Sequence, residues 1–288
     1  MDIELREVLL FLVEGAALVG FVLVAGPLAF WVTVAPNGRY DRRQLILVDV
    51  GVYVLGAATL LLPVVLLATG LPIDALPRAT WASVLVRLAV IIALACWFTE
   101  LTAAPITGSR RVWSALVVVV LSATFVAPPA DAPPRSWLTS VALLAHVVAA
   151  AVWLGGAVVL AAAGLPMRDL TRLSAQVRSF SRTTLACVVT VVASSAVLVL
   201  GADTDLSTLL VSTYGLVLVL KVLVFLGMVV VADQGRRHLD AVLLYRLRTG
   251  GDTLRGVQAW SLLMGSQLVG CSLLVIGSVL LHTVGAPV

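Results

Sequence analysis

The sequence predicts an all-α polytopic membrane bundle of about eight transmembrane helices, with a possible 4+4 tandem repeat and both termini outside. Three observations carry that reading. Of 288 residues, 61% are hydrophobic and 12% charged, where a soluble domain carries about half and about a quarter. The apolar residues fall into runs near the length of a spanning helix, about 20 residues at 1.5 Å each. The arginines collect between alternate runs. The composition excludes a soluble enzyme, a disordered chain and a nucleic-acid-binding domain, despite a net charge of +4.

Eight runs are legible: 8–34, 45–69, 80–99, 112–128, 137–163, 183–201, 208–232 and 257–283. Each is bounded by proline, glycine or charge. The hydrocarbon core offers no water to backbone amides, so each run must satisfy its own hydrogen bonds as a helix. The short alternating segments of a β-barrel are absent from the sequence. Pro27 and Pro63 lie inside the first two runs and are expected to kink or break them. The opening Met1-Asp2-Ile3-Glu4 has no basic region, so no cleaved secretory signal is expected.

Arginine placement orients the bundle. The segments after runs one, three, five and seven carry Arg42 and Arg43, Arg110 and Arg111, Arg178 and Arg182, and Arg236 and Arg237 among others. The opposite ends hold Arg6, Arg78 and Arg135. Positive segments stay inside, which puts both termini outside. That outer side carries Asp2, Glu4, Glu7, Asp74, Asp131, Asp203 and Asp205. Such a face either concentrates cations or is an ordinary solvated surface. Glu14-Gly15-Ala16-Ala17 leads to Gly26 and Pro36, and His146-Val147-Val148-Ala149 leads to Gly155-Gly156 and Pro166. The similarity suggests two four-helix halves, 1–130 and 131–288, in the same orientation; chance among Ala, Val, Leu and Gly is the competing explanation.

Ionisable groups at membrane depth are costly and mark candidate sites. Glu14, Arg87 and His146 lie at similar depth in the outer leaflet by helix rise. Lys221, the only lysine, sits deeper. Glu14 and Arg87 read either as a structural ion pair or as a place that receives a cation. His146 reads either as a hydrogen-bonded core group or as a ligand. Trp153, seven residues on, shares its helix face. Lys221, with Tyr214 on its face, reads either as a gate or as a snorkelling or paired cation. Soft donors lie within the runs at Cys96, Cys187, Met228, Met264 and Cys271. Thiolate and thioether select Cu(I), although each residue alone also suits apolar packing. Cysteines in apolar runs, with no CxxC, suggest neither a disulfide framework nor a zinc site. There is no P-loop and no HExxH, so no enzyme is expected.

The second half then resembles a known family. His146-Val-Val-Ala-Ala-Ala-Val-Trp153-Leu-Gly155-Gly156 is similar to the H-x6-WxGG segment of the bacterial copper resistance D (CopD) membrane proteins. Phe180-Ser181-Arg182 follows where that family has an F-S segment, and Ser212-Thr213-Tyr214-Gly215 to Lys221 looks like its T-x-YG-x-x-L-x-x-K stretch. The resemblance covers roughly 137–283; 1–128 agree in hydropathy and length alone. It implies a bacterial inner-membrane protein that moves copper, usually inward, with a periplasmic CopC-type copper-binding partner. Two departures stand out. Gln234-Gly235-Arg236-Arg237 replaces the family's Asn-Arg pair, and the last helix lacks its early Glu, with Gln258 and Gln267 nearby.

The resulting expectation is a copper transporter in which copper is the cargo. Its expected metal-handling residues are His146, Glu14, Met264 and Cys271, with Trp153, Tyr214, Lys221 and Arg87 lining or gating the path. The alternatives are a membrane haem or redox protein and a non-transporting copper-handling assembly subunit.

Overall fold

The structure is a computed structural model of the chain and describes residues 3–34, 41–68, 78–103, 107–126, 136–164, 170–201, 212–249 and 254–284. Among them are eight α-helices: α1 (Ile3–Thr33), α2 (Arg42–Ala68), α3 (Arg78–Ala103), α4 (Gly108–Ala123), α5 (Trp137–Val159), α6 (Leu170–Leu200), α7 (Thr213–Thr249) and α8 (Leu254–Val284). A π-helical turn, Leu160–Gly164, continues α5. No strand occurs among the described residues.

Seven of these helices are long and apolar enough to cross a membrane. Their lipid-facing rows recur at helical spacing. Leu185, Val189 and Val192 on α6 are exposed, as are Leu216, Leu220 and Leu223 on α7. In water such rows would be contiguous apolar patches; in hydrocarbon they are the solvated surface. The chain is a multi-pass membrane protein.

The exception is α4. It has 16 residues, about 24 Å at 1.5 Å per residue, against a hydrocarbon core of about 30 Å. The expected run 112–128 therefore becomes a helix that starts earlier and stops at Ala123, followed by a turn at 124–126. Two other helices outrun their apolar stretches. α6 begins at Leu170 and α7 continues to Thr249. Their extensions are charged, which is why hydropathy stops before the helix does. Asp233 pairs with Arg236 and Arg237 one turn on, both at 2.8 Å, and Arg178 of α6 meets Asp240 of α7 at 3.4 Å. Neither Pro27 nor Pro63 ends its helix, because packed neighbours stabilise a helix across a lost backbone bond.

Neighbours in sequence pair antiparallel. Gly20 abuts Leu55 and Gly51 abuts Val24, joining α1 to α2. Arg87 reaches Thr124 and Trp97 stacks near Trp113, joining α3 to α4. Gly201 lies by Thr139 and Gly156 by Phe180, joining α5 to α6. Gly277 lies by Lys221 and Gly270 by Met228, joining α7 to α8. The centre is α1 against α5. Gly26 and Gly155 touch so closely that a methyl on either would fall inside the other's backbone, the close approach that small residues permit between membrane helices. Both central helices also pack against α4 and α8.

Candidate functional site

The polar groups expected at one depth fall into two clusters. The first lies in α1, α3 and α4. Arg87 is only 7% exposed. Its Nε donates to Thr124 Oγ1 at 2.9 Å, and one terminal nitrogen donates to the Thr124 carbonyl at 3.1 Å. Its guanidinium lies 4.0 Å over the Phe125 ring, and Glu14 of α1 is within range of its charge. Thr124 begins the turn that closes α4, so Arg87 puts a cation and two donors at the negative end of that helix dipole.

The second cluster lies in α5, α6 and α7. His146 Nδ1 is 3.2 Å from both Ser194 Oγ and Ser195 Oγ. Ser194 donates its own proton to the Val191 carbonyl at 3.0 Å, so it faces the ring as an acceptor. The Val191 backbone also bonds the ring. A proton on Nδ1 accepted by Ser194 would leave the Nε2 lone pair to a ligand, the usual division of labour in a metal-binding histidine. The Lys221 charge acts on the same imidazole. The Lys221 stem lies against α8 where Gly277 has no side chain, about 4 Å from the place a Cβ would take.

Below His146 the interior is aromatic, then sulfurous. Trp153, 2% exposed, meets Phe225 edge-on at 5.0 Å. Met228 lies against Gly270 of α8, where a Cβ would sit 2.7 Å from its sulfur. Gln267 Nε2 donates to the Met228 carbonyl at 2.7 Å. Cys271 follows Gly270, with its Sγ 4.0 Å from the Leu154 carbonyl of α5. Met264 reaches Gly235, with its methyl 3.4 Å from the site of a Cβ there. Lys221, Phe225, Met228 and Gly235 are spaced four, seven and fourteen residues from the first, so they share one face of α7. Over about 21 Å of helix, Lys221 lies within charge range of His146, Phe225 meets Trp153, Met228 meets Gly270 and Gly235 meets Met264, in that order.

The expected residues are therefore distributed rather than gathered. Among the described residues, no three His, Cys, Asp or Glu side chains group as a metal site. Glu14 and Arg87 belong together; His146 and Lys221 belong together. Tyr214 is half-buried in the first turn of α7, whose start is fastened by Gly215 N–H donating to Ser212 Oγ at 3.1 Å. Cys96 is exposed and Cys187 buried. Of the acidic outer residues, Asp2, Asp74, Asp131, Asp203 and Asp205 lie outside the described residues. Sequence reading did not identify Ser194, Ser195 or Phe225 as site residues. The Ser194-Ser195 pair inside an apolar run was the available signal, because adjacent hydroxyls in a membrane helix need acceptors. No family model, curated protein or solved structure matches the chain.

Proposed function

We propose that this protein is a copper permease of the CopD type rather than an enzyme, in a bacterial inner membrane. Copper moves inward from the outer side, where both termini lie, and a CopC-type periplasmic protein delivers it. The single observation that carries this reading is the ordered inner face of α7: imidazole, aromatic pair, then sulfur. Imidazole accepts copper in either common oxidation state, and thioether and thiol favour Cu(I). A ladder of few, weak donors suits passage, because a transported ion must bind well enough to come in and loosely enough to leave. The resemblance in 137–283 and the positive-inside arrangement of the arginines support the cargo and the orientation respectively. The pairing of helices supports a repeat, since exchanging α1–α4 with α5–α8 keeps the contacts α1–α2 and α5–α6, α1–α8 and α5–α4.

The test is copper accumulation in cells expressing wild type or His146→Ala at matched membrane levels. Wild type raises cell copper, and the variant does not while remaining folded. A wild type that leaves cell copper unchanged removes the proposal; one that lowers it reverses the direction.

A further inference from the structure

Each half of the chain sets a base on its third helix within charge range of a polar residue on its first. In α1–α4 the pair is Glu14 and Arg87; in α5–α8 it is His146 and Lys221. The central Gly26–Gly155 contact relates the two positions. Counted from it, Glu14 lies twelve residues up α1 and His146 nine up α5, within one helical turn of each other. The chemistry differs. The amino half opposes a base to an acid, and the guanidinium is further bonded twice to Thr124 and covered by Phe125. The carboxyl half opposes a base to a base beside two serine hydroxyls.

The amino half also differs in its fourth helix. Antiparallel to α3, α4 runs along it from the Trp97–Trp113 contact to Arg87, where it stops. Arg87 lies nine residues, about 13 Å, inside the start of α3. A helix that stops there presents its carbonyls to an interior without bulk water, where an unsatisfied group is costly. Thr124 Oγ1 takes the Leu121 carbonyl at 2.7 Å, and Arg87 takes that of Thr124.

We infer that the amino half holds a closed counterpart of the His146 site: Glu14, Arg87 and Thr124 form a neutral lock that fixes the end of the short α4, leaving the carboxyl half alone to carry the ion. The part of this inference that concerns ion passage rests on the permease reading; the lock itself does not.

The experiment compares thermal midpoints and copper flux per folded molecule for Arg87→Met, Glu14→Gln, the double variant, Arg87→Lys and Lys221→Met, purified and reconstituted in liposomes. Arg87→Met lowers the midpoint by roughly 5 °C or more, because it takes the cation from beside the half-buried Glu14 and two donors from the end of α4. Adding Glu14→Gln recovers part of that loss, since the two residues are coupled. Arg87→Lys does not restore the wild-type midpoint, because one ammonium cannot reproduce the guanidinium's two directed bonds. Flux in all the folded lock variants stays within about twofold of wild type, whereas Lys221→Met loses tenfold or more with its midpoint little changed. Additive midpoint losses, or a tenfold fall in flux in a well-folded Glu14→Gln, overturn the lock. Should Arg87→Met not fold, Thr124→Val and Glu14→Gln, singly and together, decide the coupling. A wild type without copper flux defeats the permease reading, while the midpoints still decide the lock.

Discussion

Gly26 of α1 and Gly155 of α5 touch through their backbones with no side chain between them. This contact joins the two central helices, and α4 and α8 pack around both. Without a hydrophobic drive between helices in lipid, such close packing is a main source of association. Gly26→Ala or Gly155→Ala should therefore lower unfolding free energy by roughly 1–3 kcal/mol, the cost of overpacking, and leucine at either position should abolish the folded peak on size exclusion in detergent. Alanine variants with unchanged midpoints would refute the contact.

Ser194 and Ser195 hold one nitrogen of His146. Outer-shell partners of a ligand histidine are typically worth about 10–100-fold in metal affinity or activity. The double variant Ser194→Ala/Ser195→Ala should reduce copper uptake about tenfold with a normal elution profile. Each single variant should lose less, because the other hydroxyl keeps its bond to the ring. Full uptake by the double variant would show that the ring needs no such orientation.

Met228 packs on Gly270 of α8, the neighbouring Cys271 turns its sulfur toward the Leu154 carbonyl of α5, and Met264 sits lower, against Gly235. Met228→Leu keeps volume and should cost less than about 1.5 kcal/mol in stability. Silver(I), a soft stand-in for Cu(I), should bind Met228→Leu and Cys271→Ser about tenfold more weakly, equivalent to about 1.4 kcal/mol. Met264→Leu should lose less. Equal affinities across the series would remove sulfur from the path.

Trp31 Nε1 donates to Gln44 Oε1 between α1 and α2, with both side chains buried. Trp31→Phe leaves the amide without that donor and should cost roughly 1–3 kcal/mol beyond the change in ring size. Pairing it with Gln44→Leu should return much of that loss. Chemical unfolding of the three variants in detergent reads the cycle, and strict additivity would deny the bond.

Orientation is open to a direct check. A reporter active only outside the cytoplasm should work when fused after Val288 and fail when inserted between α7 and α8. The reverse result would invert the bundle and, with it, the direction of copper movement.

Membrane residence, helical class and approximate spans were legible without coordinates, because hydrocarbon imposes both a composition and a length on each crossing. His146, Trp153 and Lys221 were legible as candidates for the same reason: polar or bulky groups at depth are conspicuous against Ala, Val and Leu. Partners were not legible. Helix rise sets the depth of Glu14, Arg87 and His146 but says nothing of rotation about each axis, and rotation divides them into two clusters. Hydropathy also misjudged helix ends. It placed α4 too far along, began α6 late and stopped α7 short, because capping by Arg87 and ion pairs such as Asp233–Arg237 terminate or prolong helices without regard to apolarity.

Repeated membrane crossing, and which rare residues lie at depth, follow from the order of residues alone; both are one-dimensional consequences of burying a backbone in oil. That Arg87 closes α4, that two serines hold His146, and that Met228 meets Gly270 beside Cys271 emerge with helix packing. Those facts depend on which faces of separate helices turn toward each other, and packing between glycines such as Gly26 and Gly155 sets that rotation.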